Sequence, residues 1–129
     1  MIVLDTHAFF WMTSEPHRLS KKAVEAIEEE RAGTGVAIAT VSLLELAQLA
    51  DKHRLALSLS TERFLSEAVM RVIVKPMTPE IVGIAVRLPS TFPKDPADRV
   101  IAATAIAEGA TLVTADQKIR DSGALRTIW

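Results

Sequence analysis

Short apolar runs alternate with longer amphipathic stretches along this chain, and that alternation predicts strands separated by helices. Ile2-Val3-Leu4 is a β-branched-rich run that stops at Asp5, and residues 6–12 read as a short, mostly buried helix. A turn at 13–16 leads to a helix capped by Ser20 and running to about Arg31. Ala23, Val24 and Ile27 form its apolar stripe, opposite a solvated face of Glu25, Glu28, Glu29 and Glu30. Gly33-Thr34-Gly35 breaks the chain, and the uncharged run 36–40 has the composition of a strand buried on both faces. Ser42-Leu43-Leu44-Glu45 fits a capping box opening a third helix, which closes on the cations Lys52-His53-Arg54.

The second half repeats the alternation. Residues 61–70 form an amphipathic helix, and 72–74 a strand placed at an edge by Pro76, which cannot extend a central ladder. Pro79 opens a helix to about Leu88, and residues 89–96 are the most loop-like stretch, too short for a domain linker. Asp95 caps the next helix, with Pro96 at its first position and Asp98 at its third, and Gly109 stops it. Residues 111–114 are a fourth strand, 116–122 a short helix and 127–129 a short last strand. The expectation is a single α/β domain over 1–129, in three layers, with a mostly parallel sheet of about five strands flanked by helices and joined by right-handed crossovers.

Composition narrows the function. The 129 residues are 49% hydrophobic, with a mean hydropathy of +0.23, a globular composition whose apolar surplus points to a face that meets a partner. Fifteen Lys and Arg against sixteen Asp and Glu give a net charge of −1, which excludes a polybasic nucleic-acid binder and requires a local patch instead. Cysteine is absent, which removes disulfides, thiolate nucleophiles and Cys-type zinc sites and suits a reducing compartment. Without a basic, then long apolar, leader or a membrane-length apolar run, the chain reads as soluble and cytoplasmic.

Parallel strands all end on one side of a sheet, and crossover helices begin there, so strand C-ends and helix N-termini share one rim. Asp5 ends the first strand, Glu45 lies in the first turn after the second, Asp98 opens the helix feeding the fourth, and Asp116 follows the fourth. Singly, each has a simpler explanation as a cap or dipole partner worth about 1 kcal/mol. Two carboxylates about 4 Å apart at an effective dielectric of 20 repel by about 4 kcal/mol, so capping alone does not justify four converging acids. Relief comes from protonation or a cation. An all-oxygen cluster suits Mg²⁺, with Mn²⁺ as a substitute, better than zinc, and the matching chemistry is phosphodiester hydrolysis.

The segments Asp5-Thr6-His7-Ala8, Ser42-Leu43-Leu44-Glu45, Asp95-Pro96-Ala97-Asp98-Arg99 with Ile101-Ala102-Ala103-Thr104-Ala105, and Val113-Thr114-Ala115-Asp116 resemble the PIN-domain family over nearly the whole chain. Among its branches the chain is most similar to the short VapC-type toxins of bacterial and archaeal toxin–antitoxin pairs. The resemblance implies a Mg²⁺-dependent ribonuclease acting on RNA, a five-stranded parallel sheet, a homodimer, and a small antitoxin whose extended segment blocks the acidic crevice. Asp5, Glu45, Asp98 and Asp116 match the family's acidic quartet residue by residue. Asp5 and Asp98 are the firmest metal ligands implied; direct ligation, ligation through water and a second metal stay open for Glu45 and Asp116. Leu44 departs from the larger aromatic often found before the Glu, which bears on packing more than on chemistry.

Other residues carry weaker signals. Asp95 belongs to the motif but is first of all an N-cap. His7 could touch substrate or act as a base, although a lone His in a first helical turn is more often structural. Thr6 could orient a carboxylate or a water, or simply bond locally at its helix start. Lys94, Arg99 and Lys118 are candidates to hold flanking phosphates, with surface solvation as the simpler reading. Phe9, Phe10, Trp11 and Met12 are too contiguous for one helical face; core packing competes with a contact to a partner. Six aromatics and no Tyr give little support to an RNA-binding sheet of stacked rings, which leaves specificity to RNA shape. A catalytically silent regulatory α/β domain that binds metal, RNA or a protein is the alternative function. A receiver domain would need a Lys after a late strand, where Asp116 stands. A haloacid-dehalogenase-type phosphotransferase would need an Asp where His7 stands.

Overall fold

A computed structural model describes residues 1–52 and 59–129. His53 and Arg54, read from sequence as cations closing the third helix, lie outside the described residues. The elements run β1 (Ile2–Leu4), α1 (Thr6–Ser14), a 3-10 turn (Pro16–Arg18), α2 (Lys21–Ala32), β2 (Val36–Ala39) and α3 (Val41–Lys52). They continue through α4 (Thr61–Val69), β3 (Ile73–Lys75), α5 (Pro79–Arg87), α6 (Pro96–Ala107), β4 (Thr111–Val113), α7 (Gln117–Asp121) and β5 (Thr127–Ile128).

The five strands form one sheet in the order β3-β2-β1-β4-β5, and every pairing is parallel. Leu4 is in register with Ile38 on one side and Val113 on the other. The chain leaves β1 toward β2, while β4 lies on the opposite flank of β1. The order therefore reverses between β1 and β4, and at such a switch point the loops beyond the strand ends diverge and open a crevice.

Strand residues alternate between two cores. Ile2, Leu4, Val36, Ile38 and Val113 face α1 to α4, packing on Phe9, Phe10, Ile27 and Leu46. Val3, Ala37, Ala39 and Leu112 face α6, packing on Ile101, Ala102 and Ala105, with Phe92 and Ile119 closing the layer. The central strands are buried throughout, as their uncharged composition predicts. Gly35 turns the chain into β2 at φ +112°, a conformation that favours glycine; a Cβ there would also displace the tip of Ile73, 2.7 Å away.

Several local expectations shift. α1 continues through Ser14, where a turn was predicted; Thr13 Oγ1 donates to Phe10 O at 2.9 Å within this last turn. The contiguous apolar run stays in the core, because α1 is enclosed between the sheet, α3 and the 3-10 turn: Phe9, Phe10 and Met12 are buried and Trp11 is half-buried. β3 is displaced by one residue and sits at the sheet edge as expected. The acid face of α2 is solvated except at Glu30, which pairs with the Met1 amine at 2.9 Å and accepts from Thr34 Oγ1 at 2.5 Å.

Candidate active site

The carboxyl edge of the sheet gathers the predicted acids. Asp5 follows β1: its amide donates to Val113 O at 3.0 Å, tying it to β4, and Oδ1 accepts from Ala8 N at 2.8 Å as the N-cap of α1. Asp116 follows β4: its amide donates to Thr114 Oγ1 at 3.1 Å, and Oδ1 accepts from Lys118 N at 2.8 Å and Ile119 N at 3.2 Å. Asp98 lies in the first turn of α6, whose cap is Asp95, accepting from Asp98 N at 3.1 Å. The cap and site readings are thus not exclusive, since Asp5 and Asp116 cap helices and still face one crevice.

Glu45 corrects an expectation. α3 begins at Val41, so Ser42 lies inside its first turn, fully buried, and closes no capping box. Thr40, which precedes the helix, is tied through both its amide and its hydroxyl to Lys75 O. The Glu45 carboxylate instead accepts from Thr6 Oγ1 at 2.5 Å, and that hydroxyl lies 3.1 Å from Ser42 Oγ. Thr6 therefore bridges α1 and α3 and aims Glu45 at the crevice, the carboxylate-orienting role among its readings.

Electrostatics report the convergence. Burial, followed by the charges of Asp95, Asp116, Glu45 and Asp5, pushes the Asp98 carboxyl up to about 7, and no hydrogen-bond donor among the described residues opposes the shift. Burial also raises Asp5, against the Thr114 hydroxyl, the Ala8 amide and His7, which hold it down; Asp116 adds a smaller upward push. A carboxyl raised by burial and by four neighbouring acids carries a charge that a cation would stabilise.

These side chains line a crevice of about 600 Å³. Phe10, Leu49 and Ile119 supply apolar lining, and His7, Trp11 and Arg18 supply the rest of its polar and aromatic wall. Arg18 is the cation that sequence reading missed. It stands in the 3-10 turn opened by Pro16, far in sequence from every acid of the rim except Asp5, and its only local cue is that turn following α1. The cations favoured from sequence are elsewhere. Arg99 turns under α6, with Nη1 donating to Ala85 O and Leu88 O and Nη2 to Phe92 O at 3.3–3.4 Å, and its guanidinium lies over the Phe92 ring. It fastens the 89–96 loop and is not a phosphate contact. Lys118 lines a separate depression beside Thr91 and Pro93, and Lys94 is exposed on the loop.

The donor set is all oxygen and fits a hard divalent cation. Among the described residues, no three acidic or imidazole side chains are grouped so as to hold a metal ion by themselves. The fit is therefore to a cation held by one or two carboxylates with water completing its shell, as Mg²⁺ commonly is.

Fold and site together define an α/β domain with a cluster of acids at the carboxyl edge of a parallel sheet. The PIN domain family model matches residues 2–125, and the chain belongs to that family. It is 41% identical over 130 residues to Ribonuclease VapC22 of Mycobacterium tuberculosis, covering 99% of this chain and 98% of the relative. Among solved structures it is similar to a chain of VapBC2 from Rickettsia felis bound to a DNA fragment from their promoter. That likeness has TM-score 0.76 and 21% identity over 99% of this chain and 98% of the other. It is similar also to a chain of a toxin-antitoxin complex from Klebsiella pneumoniae, with TM-score 0.72 and 20% identity over 100% and 97% of the two chains. Among the described residues, no helix is long and apolar enough to cross a membrane.

Proposed function

We propose that this chain is a metal-dependent endoribonuclease, the toxin of a type II toxin–antitoxin pair, with Asp5, Glu45, Asp98 and Asp116 as its catalytic and metal-binding residues. The observation that carries the reading is the meeting of acids from four separate elements at one crevice, with Asp98 pushed up to about 7 by burial and by its neighbours' charge. The likeness to Ribonuclease VapC22 over almost the whole chain supports RNA as the substrate. Mg²⁺, with Mn²⁺ as a substitute, is the ion the donor chemistry favours.

When bound, the cation supplies charge neutralisation and Lewis acidity toward a phosphodiester. Asp5, following β1, and Asp98, in the first turn of α6, are the residues that would hold it. Glu45, fixed by Thr6, is placed to take the proton of the attacking water. Asp116 adds negative charge beside Asp5 and is itself held by two amides of α7. The water oxygen bonds to phosphorus as its proton passes to Glu45, the bond to the leaving ribose oxygen breaks, and that oxygen takes a proton from solvent.

A homodimer, a small cognate antitoxin that covers the crevice, and a cytoplasmic location complete the reading. The likeness to a chain of the toxin-antitoxin complex from Klebsiella pneumoniae supports the antitoxin, and the absence of cysteine suits the reducing cytoplasm. The test is cleavage of a mixed RNA pool with Mg²⁺ or Mn²⁺, against EDTA and against Asp98→Asn. Metal-dependent cutting that Asp98→Asn abolishes is expected. RNA left intact, with metal still bound, would instead make the chain the silent regulatory domain.

A further inference from the structure

The two tryptophans of the chain meet, and one of them, Trp11, lines the acid crevice. His7 and Trp11 are four residues apart on α1, so they share one helix face, and their ring centroids are 5.7 Å apart at 56°. Trp129, just beyond β5, sets its ring 5.6 Å from Trp11 and packs with it against the core. The Arg18 guanidinium lies 4.9 Å from the Trp11 ring centroid. Trp129 thus backs Trp11, while His7, Trp11 and Arg18 line the acid crevice itself.

A purely structural role explains part of this cluster but not its exposure. Trp11 is only half-buried, His7 is exposed, and the Arg18 side chain is 49% exposed with a single loose ion pair, 3.5 Å to Glu15. Among the described residues that line the crevice there are five carboxylates, and Arg18 is the only Lys or Arg. A polyanion entering it meets repulsion everywhere except at the cation and at this wall. Rings beside one guanidinium are the chemistry that seats an unpaired nucleotide, with the base on the rings and its phosphate on the cation.

We infer that the His7–Trp11–Arg18 wall is a specificity-determining subsite that binds the nucleotide flanking the scissile phosphate. Arg18 pairs with that nucleotide's phosphate, and its base stacks on His7 and Trp11. This inference rests on the ribonuclease reading, and it adds ring stacking to the shape recognition expected from sequence. A duplex cannot offer such a base without unpairing it, so paired RNA is discriminated against.

The test compares binding of a fluorescent random-sequence single-stranded RNA pool and of a blunt RNA duplex, by anisotropy with Mg²⁺ in an Asp98→Asn background, so that RNA stays intact. His7→Ala and Arg18→Gln change exposed residues and keep the fold; Trp11→Phe keeps a ring, and its unfolding is followed in parallel. His7→Ala is expected to weaken single-strand binding about 5-fold or more, within the range for loss of a stacked base, and to leave duplex binding unchanged. Arg18→Gln is expected to weaken both and to lower the salt slope by about one phosphate contact. Cleavage by the chain with Asp98 intact separates the two levels. If it cuts RNA while His7→Ala and Arg18→Gln bind single strands as well as their parent, the wall is structural and the ribonuclease reading survives. If the chain neither binds nor cuts RNA, both readings fall.

Discussion

Two carboxylates at opposite edges of one sheet have opposite fates. Glu30, at the amino edge, is met by the Thr34 hydroxyl and then by the Met1 amine, which hold its carboxyl below the ordinary value of 4.5. Asp98, at the carboxyl edge, is partly buried and faces four other acids, and is pushed up to about 7. The same side-chain chemistry closes a loop at one edge and is left electrostatically unsatisfied at the other. Folding alone favours the first arrangement. The second persists only where a ligand offsets its cost.

The largest effect is expected from Asp98→Asn, which should lower RNA cleavage by at least about 100-fold through loss of a metal ligand. Its stability should move the other way. The native pKa of Asp98 lies above the 3.8 of an unperturbed aspartate, so between these values the native state holds a proton that the unfolded chain has released. Stability of the metal-free protein therefore falls as pH rises through this window and levels off above about 7. Asn removes that slope, and at pH 8 in EDTA the variant should melt about 2–5 °C higher, a modest gain because water screens a half-buried charge. Thermal melts across pH check this.

Next in size is Thr6→Val, which releases the Glu45 carboxylate and leaves the buried Ser42 hydroxyl without its neighbour. Activity should fall about 10–100-fold and stability by about 1–2 kcal/mol, read by cleavage rates and urea unfolding. Arg99→Met should spare phosphate binding and cost about 1–3 kcal/mol by orphaning carbonyls at 85, 88 and 92. An unchanged salt dependence of RNA binding would confirm that Arg99 is not a phosphate contact. Smallest is Glu30→Gln. A depressed carboxyl pKa stabilises above the ordinary value and loses that contribution as pH falls, so this variant should be slightly destabilised at pH 7 and equal to the parent in strong acid, opposite in slope to Asp98.

How far these features were legible depended on the range of the interactions that make them. Uncharged apolar runs marked the central strands β1 and β2, because a strand buried on both faces has little compositional freedom, whereas edge strand β3, half-exposed and ending in Lys75, was displaced by one residue. The positions of Asp5, Glu45, Asp98 and Asp116 followed from the rule that parallel strands end on one rim, which needs only topology. The capping box at Ser42 failed because a local pattern lost to a tertiary one: the Thr6 hydroxyl takes the Glu45 carboxylate, and the helix starts a residue earlier. Arg99 was misplaced for a similar reason. It lies one residue after Asp98, about 100° around the helix, and so points at the loop carbonyls instead of the crevice. Arg18 and the Trp11–Trp129 contact were invisible, since each depends on how a turn or a last strand folds back on α1.

The central claim is that the acid crevice holds a cation through Asp98, and thermal unfolding tests it most directly, because a ligand that binds only the native state raises its melting temperature. The parent and Asp98→Asn are melted in EDTA and in graded Mg²⁺ or Mn²⁺. A rise with metal in the parent that shrinks in Asp98→Asn, the variant itself melting higher in EDTA, is the predicted result. A parent indifferent to both metals, with a variant that melts lower, would mean that the acids serve only as helix caps and dipole partners.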